Sequence, residues 1–316
     1  MYSFHKFLEE LYSNTKIPFK VTLDEEEFSP CNFKELNDEE FIFQEFKVNN
    51  GICKIITEKN YESCISLLKY LIESKIKEVS NNKEKLIRKA LSGIHIDKNI
   101  INRELNFLKE GFYVINIYLS SHIQEGLELI NECYDIKNIV TLIKDNNIVI
   151  IGALEDVEEH ANSIKDSIAS NLYTKCYISY MKLNNINEIK EAYEINMSKI
   201  NLAIKYDLDE MVYGERDLLF ENLVDSIDKE LKNKMYEDFG LGFSKLDREM
   251  IKTIETFFKC GLNISDASKE LYVHRNTLIY RLDKIQKCTS YDLRNFNEAV
   301  IFKIAFLIWR GKEGNR

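Results

Sequence analysis

Proline is scarce in this sequence, and long apolar runs are missing. The chain of 316 residues contains only 2 Pro and 11 Gly, while Lys, Asn, Ile and Glu are abundant. This composition favours many helices joined by short polar turns. No window approaches roughly 18 uninterrupted apolar residues, so we expect no membrane-spanning helix. Residues 1–10 lack the basic region and apolar block of a secretion signal, which predicts a cytoplasmic protein.

Cysteine and histidine are few and scattered. The 7 cysteines form no Cys-x-x-Cys pair and are odd in number, which argues against a disulfide framework or a zinc site and fits reduced thiols. The 5 histidines show no paired metal-ligand spacing, so we predict no metal and no cofactor. Cys53 and Cys64 lack the basic neighbours that would lower a thiol pKa, and we interpret them as packed thiols rather than redox sensors.

Positive charge is also in deficit, except at one end. The net charge of the chain is −9, which by itself argues against a nucleic-acid partner. Residues 245–316, however, contain 14 Lys and Arg against 9 Asp and Glu, a net charge of +5, whereas the rest contains 29 against 43, a net charge of −14. A basic module on an acidic body is typical of a DNA-binding segment attached to a regulatory region.

The length and the apolar fraction of 45% indicate two or three domains with real cores. Residues 1–78 predict a small α/β domain, and its mixed pattern fits equally a small-molecule sensor of the PAS or GAF type and a dimerisation domain. The acidic run Asp24–Glu27 is interpreted as a solvated loop. The predicted elements are a helix, a strand, a hairpin turning at Asn49-Asn50-Gly51 and a second helix: Phe4–Ser13, Phe19–Leu23, Phe41–Val48 with Ile52–Thr57, and Tyr61–Val79.

Residues 79–110 predict a helical connector, and residues 111–240 predict the central domain. The order of elements from 111 to 214 is strand, helix, strand, strand, helix, strand, followed by a helix and a short strand. This order predicts an antiparallel sheet with helices on one face, in a ferredoxin-like layout. A single helix Leu218–Leu231 then leads to a joint at Gly240-Leu241-Gly242, where we place a domain boundary. The predicted strands and helices are Phe112–Leu119, Ile123–Tyr134, Ile139–Lys144, Ile148–Leu154, Val157–Asn171, Cys176–Leu183, Ile186–Tyr206 and Met211–Tyr213.

Residues 241–316 divide into four predicted helices. The first follows Ser244 and ends at Gly261, a residue type that readily adopts a left-handed cap. Asn263 is the predicted N-cap of the short second helix, with Asp266 as its capping-box partner, and Ala267 permits a close helix crossing. Trp309, on the apolar last helix, is interpreted as a core or dimer-packing residue.

The third predicted helix begins near His274 and has two different faces. Leu278, Leu282 and Ile285 recur at helical spacing and predict a buried face. The exposed first turn carries Arg275, Asn276 and Thr277, whose side chains hydrogen-bond base edges and phosphates. Two short helices, a tight turn and a polar outer face on the second helix are the features of a helix-turn-helix that reads the major groove.

The run from Leu271 to Leu282 resembles a signature of the PucR/CdaR family of bacterial regulators. It contains the family's Val-His-Arg-Asn-Thr-Leu-x-Tyr-Arg-Leu block unbroken, from Val273 onwards. Ser268 stands where the family usually has a second small Ala. The resemblance extends more loosely over residues 80–316, and it implies that the central domain is a degenerate GGDEF-like domain. It also implies an oligomeric regulator of metabolite-responsive genes.

Active GGDEF domains are nucleotide cyclases, which makes a cyclase the main enzymatic alternative. Their chemistry needs a glycine-rich hairpin and acidic metal ligands. Here the hairpin is Asp145-Asn146-Asn147, and Leu119-Ser120-Ser121 at the end of the first strand offers no acid. The sequence also lacks Gly-x-Ser-x-Gly, a phosphate-binding loop, Gly-x-Gly-x-x-Gly and His-Glu-x-x-His. We therefore predict that the chain is not an enzyme.

The combined expectation is an α+β multidomain protein with an all-α helix-turn-helix domain at its C-terminal end. We predict a transcription regulator that binds double-stranded DNA, responds to a small-molecule effector and forms a homo-oligomer, without a membrane partner. The alternative is a catalytically inactive GGDEF-like adaptor that acts through protein-protein contacts. Arg275, Asn276, Thr277 and Tyr280 are predicted to face the groove, with Asp283 limiting the depth of entry. The predicted phosphate contacts are Arg281, Lys284, Lys287 and the capping residue His274.

Overall fold

The computed structural model describes residues 2–23, 26–30, 40–48, 51–134 and 138–313. Contacts divide these residues into two units. The larger unit contains the described residues up to Ile200 together with Met211–Glu215, and the C-terminal unit contains Asn201–Glu210 and the described residues from Arg216 onwards. The larger unit is α+β and the C-terminal unit is helical, which confirms the α+β class with a C-terminal helical domain. Among the described residues, no helix has both the length and the apolar character needed to span a membrane.

The larger unit begins with a four-stranded antiparallel sheet in the order β2-β1-β4-β3. Alternate residues such as Phe19, Val21 and Ile55 point into a core that helix α1 covers, because successive strand side chains lie on opposite faces. The predicted hairpin turn at 49–50 lies outside the described residues, as do Asp24 and Glu25. Glu26 and Glu27 lie in strand β2, so this part of the predicted acidic loop is wrong. The elements are α1 (Tyr2–Thr15), β1 (Phe19–Leu23), β2 (Glu26–Phe28), β3 (Phe41–Val48) and β4 (Gly51–Glu58).

Helix α2 runs without interruption from Ile65 to Leu91 after a 3-10 turn at Lys59–Cys64. The predicted helix end at Val79 is therefore wrong, and the predicted boundary between 78 and 79 falls inside this helix. The helix continues because it has packing partners along its whole length. Leu68 and Ile72 pack into the core of the first sheet, and Ile87 packs into the core of the next. The division into four segments remains a prediction, and the described residues up to Ile200 fall in one unit.

The second sheet has five strands in the order β6-β7-β5-β8-β9. Neighbouring strands are antiparallel except β9, which runs parallel to β8. Helices cover both faces, so the predicted one-sided arrangement is wrong. Helices α4 and α5 pack on one face, and α2, α3 and α6 pack on the other. The elements are α3 (Lys98–Glu104), β5 (Phe112–Leu119), α4 (Ile123–Cys133), β6 (Ile139–Lys144), β7 (Asn147–Gly152), α5 (Val157–Leu172), β8 (Cys176–Leu183), α6 (Ile189–Lys205) and β9 (Val212–Tyr213).

The C-terminal unit contains six helices within its described residues after Arg216. The predicted helix Leu218–Leu231 is in fact two, because Asp228 caps a new helix by accepting a hydrogen bond from the N–H of Leu231 at 2.9 Å. The predicted joint at Gly240-Leu241-Gly242 is also wrong, since all three residues lie inside α8. The helices are α7 (Leu219–Asp225), α8 (Lys229–Phe243), α9 (Arg248–Lys259), α10 (Ile264–Glu270), α11 (Arg275–Thr289) and α12 (Phe296–Glu313).

Gly242 occupies the position in α8 where this helix contacts α11. A Cβ atom at this position would lie 3.0 Å from the carbonyl oxygen of Cys288 and 3.2 Å from the Cα of Thr289, both near the end of α11. The glycine therefore allows α8 to approach α11 closely.

Aromatic side chains hold α8 and α12 together. The ring of Phe243, which is fully buried, lies 5.1 Å from the ring of Phe302 and 5.6 Å from that of Trp309. Trp309 also stacks on Phe306 at 5.8 Å. This confirms the interpretation of Trp309 as a packing residue within the chain, and it gives the helix-turn-helix a fixed support.

Candidate nucleic-acid interface

Helix α9 begins at Arg248, four residues after Ser244. Asp247 is the N-cap and accepts a hydrogen bond from the N–H of Met250 at 2.8 Å. That bond, together with the nearby ammonium of Lys284, holds the pKa of the Asp247 carboxyl below its usual range. Ser244 is the C-cap of α8, and it precedes α9 as predicted. Both residues have cap-forming side chains, and the sequence pattern alone does not separate them.

The break between α9 and α10 follows the prediction more closely. Gly261 has a φ of +60°, as expected for a left-handed residue after a helix. Asn263 caps α10 by accepting hydrogen bonds from the N–H groups of Ser265 and Asp266, at 2.9 and 3.3 Å. The predicted capping box is not closed, however, because the N–H of Asn263 donates to the carbonyl of Cys260. Ala267 is fully buried, in line with its predicted place at a close helix crossing.

Four residues, 271–274, join α10 to α11. The N–H of Tyr272 donates to the carbonyl of Lys269, and the N–H of Val273 donates to the carbonyl of Ser268, both at 3.0 Å. This pair of bonds closes the C-terminal end of α10 in the manner of a Schellman motif. The turn is therefore tightly defined, and it fixes the direction in which α11 starts.

Helix α11 begins at Arg275, and its N-cap is His274, whose ring atom Nδ1 accepts a hydrogen bond from the N–H of Asn276 at 3.2 Å. Leu278, Leu282 and Ile285 are buried as predicted, with exposed fractions of at most 2%. The opposite side of the helix is polar and exposed to solvent. The predicted contact residues that are exposed are His274, Arg275, Asn276, Thr277, Tyr280, Lys284 and Lys287.

Arg281 does not lie on that exposed surface. The Arg281 side chain is 16% exposed, and its guanidinium donates a hydrogen bond to the carboxylate of Glu249. It also lies 3.4 Å from the hydroxyl oxygen of Thr253. Both partners are on α9, so Arg281 connects α11 to α9. A phosphate contact by Arg281 stays a prediction, and it would require the guanidinium to leave Glu249.

Two more charges on α11 have partners within the C-terminal unit. The ammonium of Lys284 lies 3.6 Å from the carboxylate of Asp247. Asp283 forms an ion pair with Arg294 at 2.9 Å, which neutralises the acid expected to limit the depth of entry. Among the described residues, no ion pair involves Arg275 or Lys287, so both keep their charge available for an external anion.

The sequence interpretation did not identify Glu249 or Arg294 as important to this region. Glu249 accepts a hydrogen bond from Arg281, which is distant in sequence and lies on another helix. Arg294 reaches back across the turn that follows α11, where it pairs with Asp283 and donates a hydrogen bond to Gln286 at 3.1 Å. Helical periodicity does not show such pairs. In the described part of the chain, no cluster of three His, Cys, Asp or Glu side chains is arranged to hold a metal ion.

Helices α10 and α11, joined by a short turn and supported by α9, define a helix-turn-helix domain. Residues 250–308 match the family model of the PucR C-terminal helix-turn-helix domain. This domain of the chain therefore belongs to that family, which confirms the resemblance drawn from the run Leu271–Leu282.

Three curated relatives are regulators. The chain is 22% identical over 266 residues to the proline-responsive transcriptional activator PutR of Bacillus subtilis. This alignment covers 75% of this chain and 64% of PutR. It is 26% identical over 121 residues to the DNA-binding transcriptional activator AdeR of the same organism, covering 36% of this chain and 29% of AdeR. It is 37% identical over 54 residues to the carbohydrate diacid regulator of Escherichia coli, covering 17% of this chain and 14% of that protein. The chain thus spans less than two thirds of the length of each of these relatives.

Proposed function

We propose that this chain is a sequence-specific DNA-binding transcription regulator of the PucR/CdaR type. The observation that carries this proposal is the first turn of α11, where Arg275, Asn276 and Thr277 are exposed beside a capped helix start. A recognition helix reads the major groove mainly with its N-terminal residues. Arg pairs well with guanine and Asn with adenine. The match of residues 250–308 to the PucR domain supports the same conclusion.

In the proposed complex, the exposed side of α11 faces the groove. Arg275, Asn276, Thr277 and Tyr280 contact base edges. Lys284 and Lys287 contact phosphates, and Lys284 exchanges Asp247 for a phosphate oxygen as it does so. His274 combines its capping role with a phosphate contact at the helix N-terminus, where an anion is favoured. Arg281 is the least accessible member of the predicted phosphate set.

Fluorescence anisotropy of the purified chain tests this proposal. The probes are a duplex from the region upstream of its own gene and a random-sequence duplex, each measured over a salt series. Preference for the upstream duplex, with affinity that falls steeply as salt rises, supports a sequence-specific regulator. Absence of binding to both probes would contradict the proposal and favour the adaptor function instead.

The proposal extends to the second sheet, which we assign to a degenerate GGDEF-like domain with a ferredoxin-like core. The support is topological: strands β5 to β8 stand in the order β6-β7-β5-β8, with α4 and α5 packed on one face. A two-residue turn at Asp145 and Asn146, both with positive φ, joins β6 to β7 without a glycine. We therefore assign this domain a role in packing or signalling rather than in nucleotide cyclisation. A purified chain that converted GTP into a cyclic dinucleotide would contradict this assignment.

Control by a small-molecule effector and assembly into a homo-oligomer complete the proposal. One helix-turn-helix gives little specificity, whereas two half-sites about one DNA turn apart give more. An effector would act by favouring one arrangement of the paired DNA-binding domains. The proposed site of action is the cytoplasm, because the chromosome lies there in bacteria such as those of its relatives. Sedimentation of the chain with and without candidate metabolites tests both points.

A further inference from the structure

The turn between α10 and α11 carries a large side chain that is almost entirely outside the protein. Tyr272 is 96% exposed. Burial of an aromatic ring is the usual way in which such a residue contributes to folding. At this exposure the ring of Tyr272 makes almost no such contribution.

The backbone at Tyr272 is also unfavourable for a bulky residue. Its φ is +53°, in the left-handed region that suits glycine and that costs free energy for residues with a Cβ. The two hydrogen bonds that close the end of α10 hold the residue in this conformation. Glycine would satisfy the same backbone geometry without strain. The chain thus keeps a tyrosine where the fold alone favours glycine, and such outliers often mark functional positions.

Strain and exposure alone do not assign a role, since Tyr173 shares both. It follows α5 in the larger unit, with a φ of +51° and an exposed fraction of 90%. Tyr272 differs in its location. It lies two residues before His274 and three before Arg275, so its Cα is at most about 11 Å from that of Arg275. Tyr272 therefore lies close to the first turn of α11, where the proposed groove contacts are made, and its exposed ring is available to a ligand bound there.

We propose that Tyr272 contacts the DNA backbone beside the recognition helix, a role that rests on the proposed DNA-binding function. Its ring packs against a sugar and its hydroxyl donates a hydrogen bond to a phosphate oxygen. Tyrosine is among the side chains that make such contacts, which position a protein on the duplex without reading its sequence. Because the side chain is neutral, it displaces no condensed cation from the DNA.

The test compares three variants by anisotropy on the upstream and random-sequence duplexes. Tyr272→Gly is expected to bind both duplexes about tenfold more weakly than the unmodified chain, because both the hydrogen bond to a charged acceptor and the contact of the ring with the sugar are lost. The slope of affinity against salt should not change. Tyr272→Phe, which keeps the ring, should lose less. Tyr173→Gly is the matched control, because it replaces an equally exposed tyrosine of positive φ that is distant in sequence from the helix-turn-helix. This variant should bind DNA like the unmodified protein.

Unfolding measured by the fluorescence of Trp309 separates a lost contact from a damaged fold. Tyr272→Gly should unfold at the same temperature as the unmodified chain or up to about 3 °C higher, since glycine relieves the left-handed strain. Weaker DNA binding by a variant of equal or higher stability supports the contact.

An affinity of Tyr272→Gly within twofold of that of the unmodified chain would overturn the proposed contact, and so would an equal loss of affinity in Tyr173→Gly. A loss confined to the upstream duplex would overturn the backbone assignment. Absence of binding by the unmodified chain itself would overturn the proposed function, and this inference with it.

Discussion

Arg281, in the middle of α11, donates a hydrogen bond to the carboxylate of Glu249, in the first turn of α9. This pair connects the helix proposed to read DNA with the helix that supports it. The arginine side chain is mostly covered, whereas the side chain of Glu249 is 65% exposed. Partly exposed ion pairs contribute little to stability, so we expect the main role of this pair to be the orientation of α11.

The first prediction distinguishes a positioning role for Arg281 from a phosphate contact. We expect Arg281→Gln and Glu249→Gln each to lower the free energy of unfolding by no more than about 1 kcal/mol. The double variant should lose less than the sum, because the residues share one interaction. Urea unfolding followed by Trp309 fluorescence measures these values.

The DNA-binding behaviour of the same variants completes the comparison. If Arg281 only positions α11, the slope of log affinity against log salt stays the same in Arg281→Gln. A slope that falls by about 1 in Arg281→Gln, but not in Glu249→Gln, would show that Arg281 contacts a phosphate.

The second prediction concerns two glycines of α8. Gly242→Ala should lower the free energy of unfolding of the C-terminal unit by about 1–3 kcal/mol, because the added Cβ meets backbone atoms of α11. Gly240→Ala is the matched control. Its Cβ would meet only Tyr236, at 3.9 Å, so it should raise stability by about 0.5–1 kcal/mol through better helix propensity. Equal effects of the two substitutions would contradict the close approach of α8 and α11.

The third prediction separates two caps in the helix-turn-helix. Asn263→Ala should lower the free energy of unfolding by about 1 kcal/mol, because two N–H groups of α10 lose their acceptor. Asp266→Ala should change it by less than about 0.5 kcal/mol, since Asp266 does not close a capping box. Urea midpoints of both variants check this difference. A larger loss in Asp266→Ala would mean that the box forms in solution.

The fourth prediction is a loss of stability in alkaline solution. Burial raises the pKa of Tyr134 and of Tyr193 to about 12, from an ordinary value of 10.0. Burial also raises the pKa of the Cys176 thiol to about 12, from 9.0. Each group releases its proton more readily in the unfolded chain. Stability is therefore complete below the ordinary pKa values and decreases as the pH rises towards about 12.

Urea unfolding followed by circular dichroism at a series of alkaline pH values measures this loss. The variant Tyr134→Phe should lose less stability over the same interval, because one of the titrating groups is gone. A midpoint that stays constant from about pH 9 to about pH 11 would contradict the burial of these groups.

The sequence predicted those elements whose patterns are complete within one segment. Strands β1, β5, β6 and β8 have the predicted bounds because polar or turn-forming residues flank each of them on both sides. The buried face of α11 was also predictable, because Leu278, Leu282 and Ile285 lie on one side of any helix that begins near His274.

The errors come from contacts between distant segments. Ser80-Asn81-Asn82 has the composition of a loop, yet it lies inside α2, because sheet contacts on both sides stabilise the whole helix. Gly240 and Gly242 have the appearance of a joint until the approach of α11 to Gly242 is known. The position of Arg281 depends on Glu249, 32 residues earlier in the chain, and helical spacing contains no information about that pair.

The most direct test of the central claim compares the unmodified chain with the double variant Arg275→Ala/Asn276→Ala. Anisotropy is measured on the upstream and random-sequence duplexes over a salt series. Base reading by the first turn of α11 predicts that the double variant loses the preference for the upstream duplex, at about 1–3 kcal/mol for each side chain. The loss on the random duplex should be smaller, because there the substitutions remove only the attraction of the Arg275 charge to the DNA backbone. Equal losses on both duplexes would contradict base reading by these residues, and undiminished binding would contradict their place in the interface.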